Sequence, residues 1–146
     1  MKKVNVREYL QIINDVVTES ESVGEKTNDS FEAVRNAIDN NTLSDLTSEE
    51  LTKVKAAFAE GTEEYRVVAN RLTHSKAPIQ VMGIHRKLEK AYEEYVNACQ
   101  LMVDSIDAEG ASVDIDMFNE SELKQDESTD VISFCIQRIT QLVMKG

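Results

Sequence analysis

Tryptophan is missing from this chain, proline occurs once, and glycine five times in 146 residues. So few turn breakers leave room for long uninterrupted elements. Aromatic residues make up only 5% against an apolar fraction of 41%, so the core is aliphatic. Such a core suits helix seams better than a sandwich, which draws on β-branched and aromatic strands. No stretch approaches the ~18 apolar residues of a membrane span. Behind Lys2 and Lys3, the residues Asn5, Arg7 and Glu8 interrupt what would be the apolar core of a signal peptide. Cytoplasmic residence with no membrane attachment is the expectation. Positive charge is also scarce: 16 Lys and Arg face 27 Asp and Glu, a net charge of −11. Phosphate contacts need clustered cations, so no nucleic acid is expected as a partner. The two cysteines, Cys99 and Cys135, lie in apolar stretches with no CxxC spacing. Two buried, reduced thiols are the simplest reading.

What is present is a seven-residue apolar repeat in three segments. The first seam runs Leu10, Ile13, Val17, Ser20, Gly24, Thr27, Phe31, Val34, Ile38. The second runs Leu51, Val54, Phe58, Gly61, Tyr65, Val68, Leu72, and the third Val81, Ile84, Leu88, Ala91, Tyr95, Ala98, Met102. Alternating steps of three and four keep one stripe on one helix face, and a mean period of 3.5 favours long helices packed side by side.

Punctuation divides the chain accordingly. A first helix is expected from about Val6 to Asp39, ended by Asn40 and Asn41. Thr47 and Glu50 form a capping box for a second helix to about Thr73. Pro78 breaks the chain and opens a third helix, which runs to about Ile106. Residues 107–117, with Gly110 and four carboxylates, read as a loop, and Asn119 as the cap of a stretch that breaks near Glu127 to Thr129. The last helix is expected from about Asp130 to Lys145. Short connections favour antiparallel neighbours. The expected fold is all-α: one domain over residues 1–146, an elongated up-down-up-down four-helix bundle of three long helices and a shorter C-terminal one.

Ser20, Gly24 and Thr27 weaken the first seam at mid-length. In an antiparallel hairpin Gly24 falls opposite Tyr65, with Gly61 close by. A tyrosine ring filling the notch is the simpler reading; a kink or small cavity at Gly24, Gly61 and Tyr65 is the functional one.

No catalytic or metal pattern stands out. His85 and Glu89 share a helix face, but zinc needs three or four such ligands, and neither HExxH nor a repeated ExxH is present. His85 is expected to be exposed near the bend. An EF-hand begun at Asp114 fails at Phe118, Asn119 and Gln125, so weak, irregular cation binding is the most the acidic loop offers. No phosphate-cradling glycine loop occurs. Neither an enzyme nor a cofactor is expected.

Charge is segregated. Between Arg66 and Lys90 six basic residues meet one acid, Glu89, a net of +5 in a chain of −11, so the remainder carries −16. In an up-down-up-down rod the Pro78 bend shares its end with both termini, and the other end collects carboxylates. Arg71, Lys76, His85, Arg86, Lys87 and Lys90 are the candidate contact residues for a protein partner. Apolar residues cover much of the last helix, Val131, Ile132, Phe134, Cys135 and Ile136, and a second face of the third, Tyr92, Val96 and Val103. Such faces mark interfaces when exposed, so a homodimer is one arrangement the pattern permits. The resulting expectation is a non-enzymatic helical interaction protein, of adaptor or inhibitor type. The alternative is a small-molecule or metal-binding bundle that uses the notch or the acidic loop.

Overall fold

In the structure, a computed structural model, residues 4–144 are described. Four helices dominate it: α1 (Val6–Asp39), α2 (Ser48–His74), α3 (Met82–Asp104) and α4 (Ile115–Met144). α1 packs on α2, α2 on α3 and α3 on α4, while α1 and α4 touch only sparsely. The bundle is all-α, in up-down-up-down order. No helix among the described residues is long and apolar enough to cross a membrane. Lys2, Lys3 and Lys145, expected to add charge to the basic end, lie outside the described residues.

Capping chemistry sets the boundaries. Asn5 caps α1, its side chain accepting from the Glu8 N–H at 3.2 Å. At the far end Asn41 takes a left-handed conformation, φ 55°. Its N–H then reaches the Ile38 carbonyl at 3.2 Å and the Thr42 N–H reaches the Ala37 carbonyl at 2.8 Å. This is a Schellman stop, and asparagine accepts it with little steric cost. Thr47 opens α2: its hydroxyl accepts from the Glu50 N–H at 3.1 Å and donates to the Glu50 carboxylate at 3.2 Å.

The third connection differs from expectation. Pro78 starts a single 3-10 turn, Ile79–Val81, rather than α3 itself, which begins at Met82. Residues 107–117 are not an open loop. Ile106–Asp107 (β1) pairs antiparallel with Ser112–Val113 (β2), Ile106 opposite Val113. The Asp107 carboxylate accepts from the Gly110 N–H at 3.0 Å. The cap of α4 is Asp114, which accepts from the Met117 N–H at 3.0 Å, and not Asn119. Two of the carboxylates that suggested cation binding are therefore occupied by the backbone.

α4 is also not the short helix expected. It runs unbroken for 30 residues, longer than the 23 of α3. The polar stretch around Glu127–Thr129 does not interrupt it, because Glu127 and Thr129 face solvent while Ser128 turns inward. Serine and threonine lower helix propensity by a few tenths of a kcal/mol, too little to end a helix held by packing.

The α2 seam is buried throughout, from Leu51 to Leu72. In α1 the buried stripe is shifted: Tyr9, Val16 and Val23 are buried, whereas Leu10, Val17 and Gly24 are only half-buried. α3 is the most enclosed helix. Tyr92, Val96 and Val103, expected as a second exposed face, are buried. Tyr92 meets Ser20 of α1 and Tyr65 of α2, Val96 lies along the seam with α2, and Val103 joins the cluster that holds Leu51 and Val54. On α4 itself Cys135 and Ile139 are buried, while Phe134 remains 53% exposed.

The core forms two apolar clusters. One, at the Pro78 end, includes Tyr9, Ile13, Leu72, Val81, Leu88 and Ile139. The other, at the hairpin end, includes Val34, Leu51, Phe58, Met102, Ile106 and Phe118. Leu88 is 0% exposed at the centre of the first. Replacing it with alanine should cost about 2–5 kcal/mol, read as a lowered midpoint in urea unfolding.

Candidate functional site

Between the two apolar clusters the bundle has a waist, and the waist is built from small residues. Gly61 on α2 lies directly against α1: a Cβ there would sit 2.7 Å from Thr27 Cγ2 and 3.3 Å from Val23 Cγ1. Only glycine permits that approach. Gly24 on α1 is different, since a Cβ there would meet only the Tyr65 hydroxyl, at 3.8 Å. The structure thus brings Gly24, Gly61 and Tyr65 together as the seam spacing predicts. The Tyr65 ring reaches Gly24 but does not fill the space.

What remains is a cavity of about 310 Å³ that opens between α1 and α4. α2 and α3 supply most of its inner wall: Phe58, Tyr65, Tyr95 and Met102, with Phe31 from α1. Tyr65 and Tyr95 meet edge to face, centroids 4.9 Å apart at 85°. Tyr92 packs behind them and exchanges a 2.7 Å hydrogen bond with Ser20. Glu122, Gln125 and Asp126 of α4 form one lip, and Asn28 of α1 the other. Glu122 is held at 3.3 Å by Arg35, whose guanidinium lies 5.5 Å from the Phe118 ring centre.

The tyrosines and the thiol in this wall are chemically quiet. Burial pushes the Cys99 thiol up to about 12, so it is an apolar lining group at neutral pH. Burial likewise raises the phenols of Tyr65, Tyr92 and Tyr95 above their usual range. Both cysteines are free and buried. Among the described residues no group of three or more His, Cys, Asp or Glu side chains could hold a metal ion.

The second candidate surface is the Pro78 end. Ile79 is 86% exposed and Met82 41%. Lys76, Arg86, Lys87 and Lys90 are exposed around them and make no ion pair among the described residues. Lys87 instead lies 5.2 Å from the centre of the Phe134 ring. Arg86 and Lys90 flank a groove between α2 and α3 that also holds Asn70 and Thr73.

Two of the six candidate contact residues are placed otherwise. Arg71 is committed to Glu19 at 2.7 Å. His85 is not a surface residue: it is buried, with Nδ1 2.8 Å from the Tyr9 hydroxyl and Nε2 3.1 Å from the Leu72 carbonyl and 2.9 Å from Glu89. With two acceptors facing Nε2, the proton belongs there and Tyr9 donates to Nδ1. His85 thereby ties α1, α2 and α3 together beneath the bend. Its apolar-face spacing with Leu88 and Tyr92 was the signal for burial; proximity to the basic run masked it.

Residues the notch reading missed are Phe58, Tyr95, Cys99 and Asp126. The first three sit on ordinary seam or core positions. Asp126 is brought to the cavity only by the path of the unbroken α4.

The two glycines should respond to alanine with opposite signs. Gly24→Ala should stabilise by about 0.5–1 kcal/mol through helix propensity, since its Cβ has room. Gly61→Ala should destabilise by about 1–3 kcal/mol, because overpacking against two β-branched side chains outweighs the same gain. Chemical denaturation of the two variants separates them. Alkali should also unfold the protein. Unfolded Cys and Tyr lose protons from their ordinary values of 9.0 and 10.0, whereas burial holds Cys99 up to about 12 and raises Tyr65. The unfolded chain then binds fewer protons, so the stability these groups contribute is fully present below about pH 9 and is lost as pH rises beyond it. Thermal melts from pH 8 to 11 measure this.

Compared with protein-family models, with curated proteins and with solved structures, the chain matches none. The functional reading therefore rests on the residues of the two surfaces themselves.

Proposed function

We propose that this protein is a non-enzymatic helical interaction protein, of adaptor or inhibitor type, that contacts an acidic protein partner through its Pro78 end. The observation that carries the reading is the exposure of Ile79 and Met82 among Lys76, Arg86, Lys87 and Lys90, cations with no ion pair among the described residues. Apolar anchors ringed by cations combine desolvation at the centre with charge steering at the rim. A 3-10 turn held by the buried Pro78 and Val81 presents Ile79 without first having to order it. Two buried free thiols suit a reducing cytoplasm.

A second copy of the chain carries an acidic surface of the required kind. Asp45, Glu49, Glu109 and Asp116 lie on the segments around the hairpin end, away from the bend. Homotypic docking of basic end on acidic end is therefore one form the interaction takes. A second function is favoured by the waist cavity, that of a small-molecule-binding bundle.

The test is a pair of surface variants, Ile79→Asp and the combined Arg86→Glu, Lys87→Glu, Lys90→Glu. Both should keep the parent melting temperature, since the altered positions are exposed. Quantitative cross-linking in the protein's own cells should show one acidic partner, or the chain itself, lost from both variants. Sedimentation at low and high salt should show any self-association weakening with salt. An unchanged cross-linking profile in both variants would exclude the Pro78 end as the contact.

A further inference from the structure

The waist cavity has opposite chemistry at its two depths. Inside are the aromatic side chains of Phe31, Phe58, Tyr65 and Tyr95, and no Lys or Arg lines it anywhere. At the mouth are Glu122 and Asp126. Arg35 already answers Glu122, but Asp126 makes no ion pair among the described residues. A shallow depression sharing Gly24 and Asn28 continues the mouth past Glu21 and Glu25, two more carboxylates.

Three ligand classes meet this arrangement differently. An anion is repelled at the lip. A neutral apolar body gains the aromatic wall but covers carboxylates without replacing their water. A cation on an apolar body gains both, because the apolar body meets the aromatic wall and the ammonium pairs with the carboxylates at the lip. We infer that the waist cavity binds a small organic cation, an amine or quaternary ammonium carried on an apolar body; this rests on reading the cavity as a ligand site. The apolar body enters toward Tyr95 and Met102, and the ammonium stays at the lip beside Asp126. Because the buried phenols stay protonated, the fixed negative charge is confined to the mouth, and this sets the orientation. A cavity of about 310 Å³ lies at the small end of ligand pockets, so the body is the size of a single ring with a short chain.

Three probes of one shape and different charge test this on the full chain: 2-phenylethylammonium, 2-phenylethanol and 3-phenylpropionate, titrated at low salt against amide chemical shifts. The ammonium should shift the Gly24 and Gly61 amides and bind about tenfold tighter than the carboxylate. Added salt should weaken the ammonium and leave the alcohol unchanged. Asp126→Asn should lower ammonium affinity several-fold and spare the alcohol. This position is on the exposed rim, so the result does not depend on a packing change. Gly24→Leu, which points a side chain toward the cavity, should remove binding of both. If the carboxylate binds as tightly as the ammonium, the cationic assignment is wrong and the cavity remains a ligand site. If no probe shifts the waist amides up to its solubility limit, the cavity reading itself is overturned.

Discussion

The close approach of α1 and α2 at Gly61 is the constraint on which the waist depends. One missing Cβ lets Val23 and Thr27 seat directly against the α2 backbone. Helices that meet so closely do so over small residues, and small residues cannot fill the middle of a four-helix bundle. Gly24, Thr27, Gly61 and Thr62 therefore hold the two helices together while leaving the space between them and α4 only partly occupied. Protein interiors normally pack to crystal-like density, so a gap of this size means that stability is supplied elsewhere.

It is supplied at the two ends, by different means. At the Pro78 end aliphatic packing is joined by one buried polar relay, Tyr9 to His85 to the Leu72 carbonyl, which has no unsatisfied member. Buried polar groups of this kind add register more than net energy. They fix α1 against the start of α3 and the end of α2. At the hairpin end Phe31 stacks on Phe118 with centroids 5.7 Å apart. There Ser48 donates to the Ala108 carbonyl and Lys55 to the Ile106 carbonyl, at 2.6 and 2.8 Å, fastening the hairpin to α2. Each end is closed independently, and this leaves the middle free to differ from a plain core.

The distribution of charge follows the same division. The hairpin end turns Asp107 and Asp114 to backbone capping and Glu122 to Arg35 but keeps Asp45, Glu49, Glu109 and Asp116 exposed. The Pro78 end leaves its cations exposed beside Ile79 and Met82. A surface for a large partner and a cavity for a small one thus occupy separate parts of one scaffold. They share α3, which runs from the basic bend through the tyrosine wall. Occupancy of the waist would bear on the bend through α3 only if α3 moved as a unit.

The seven-residue seams, the Asn40–Asn41 stop, the Thr47–Glu50 cap and the all-α order follow from local propensity and periodicity, so the sequence by itself determined them. It also placed Gly24, Gly61 and Tyr65 at one level, because antiparallel helices joined by a short turn have only one register. The length of α4 could not be read from Glu127 to Thr129, since weak helix propensity there is overridden by burial against α3. The burial of His85 could not be read from its basic neighbours, because it depends on where Tyr9 of α1 and the end of α2 at Leu72 pack against α3. The one-residue shift of the buried stripe in α1 has the same origin: a seam marks a face, and the neighbours decide its centre. Asp126 joined Tyr95 and Phe58 only in the folded bundle. Residues more than 30 positions apart are brought together by packing between helices, and no local pattern carries that information.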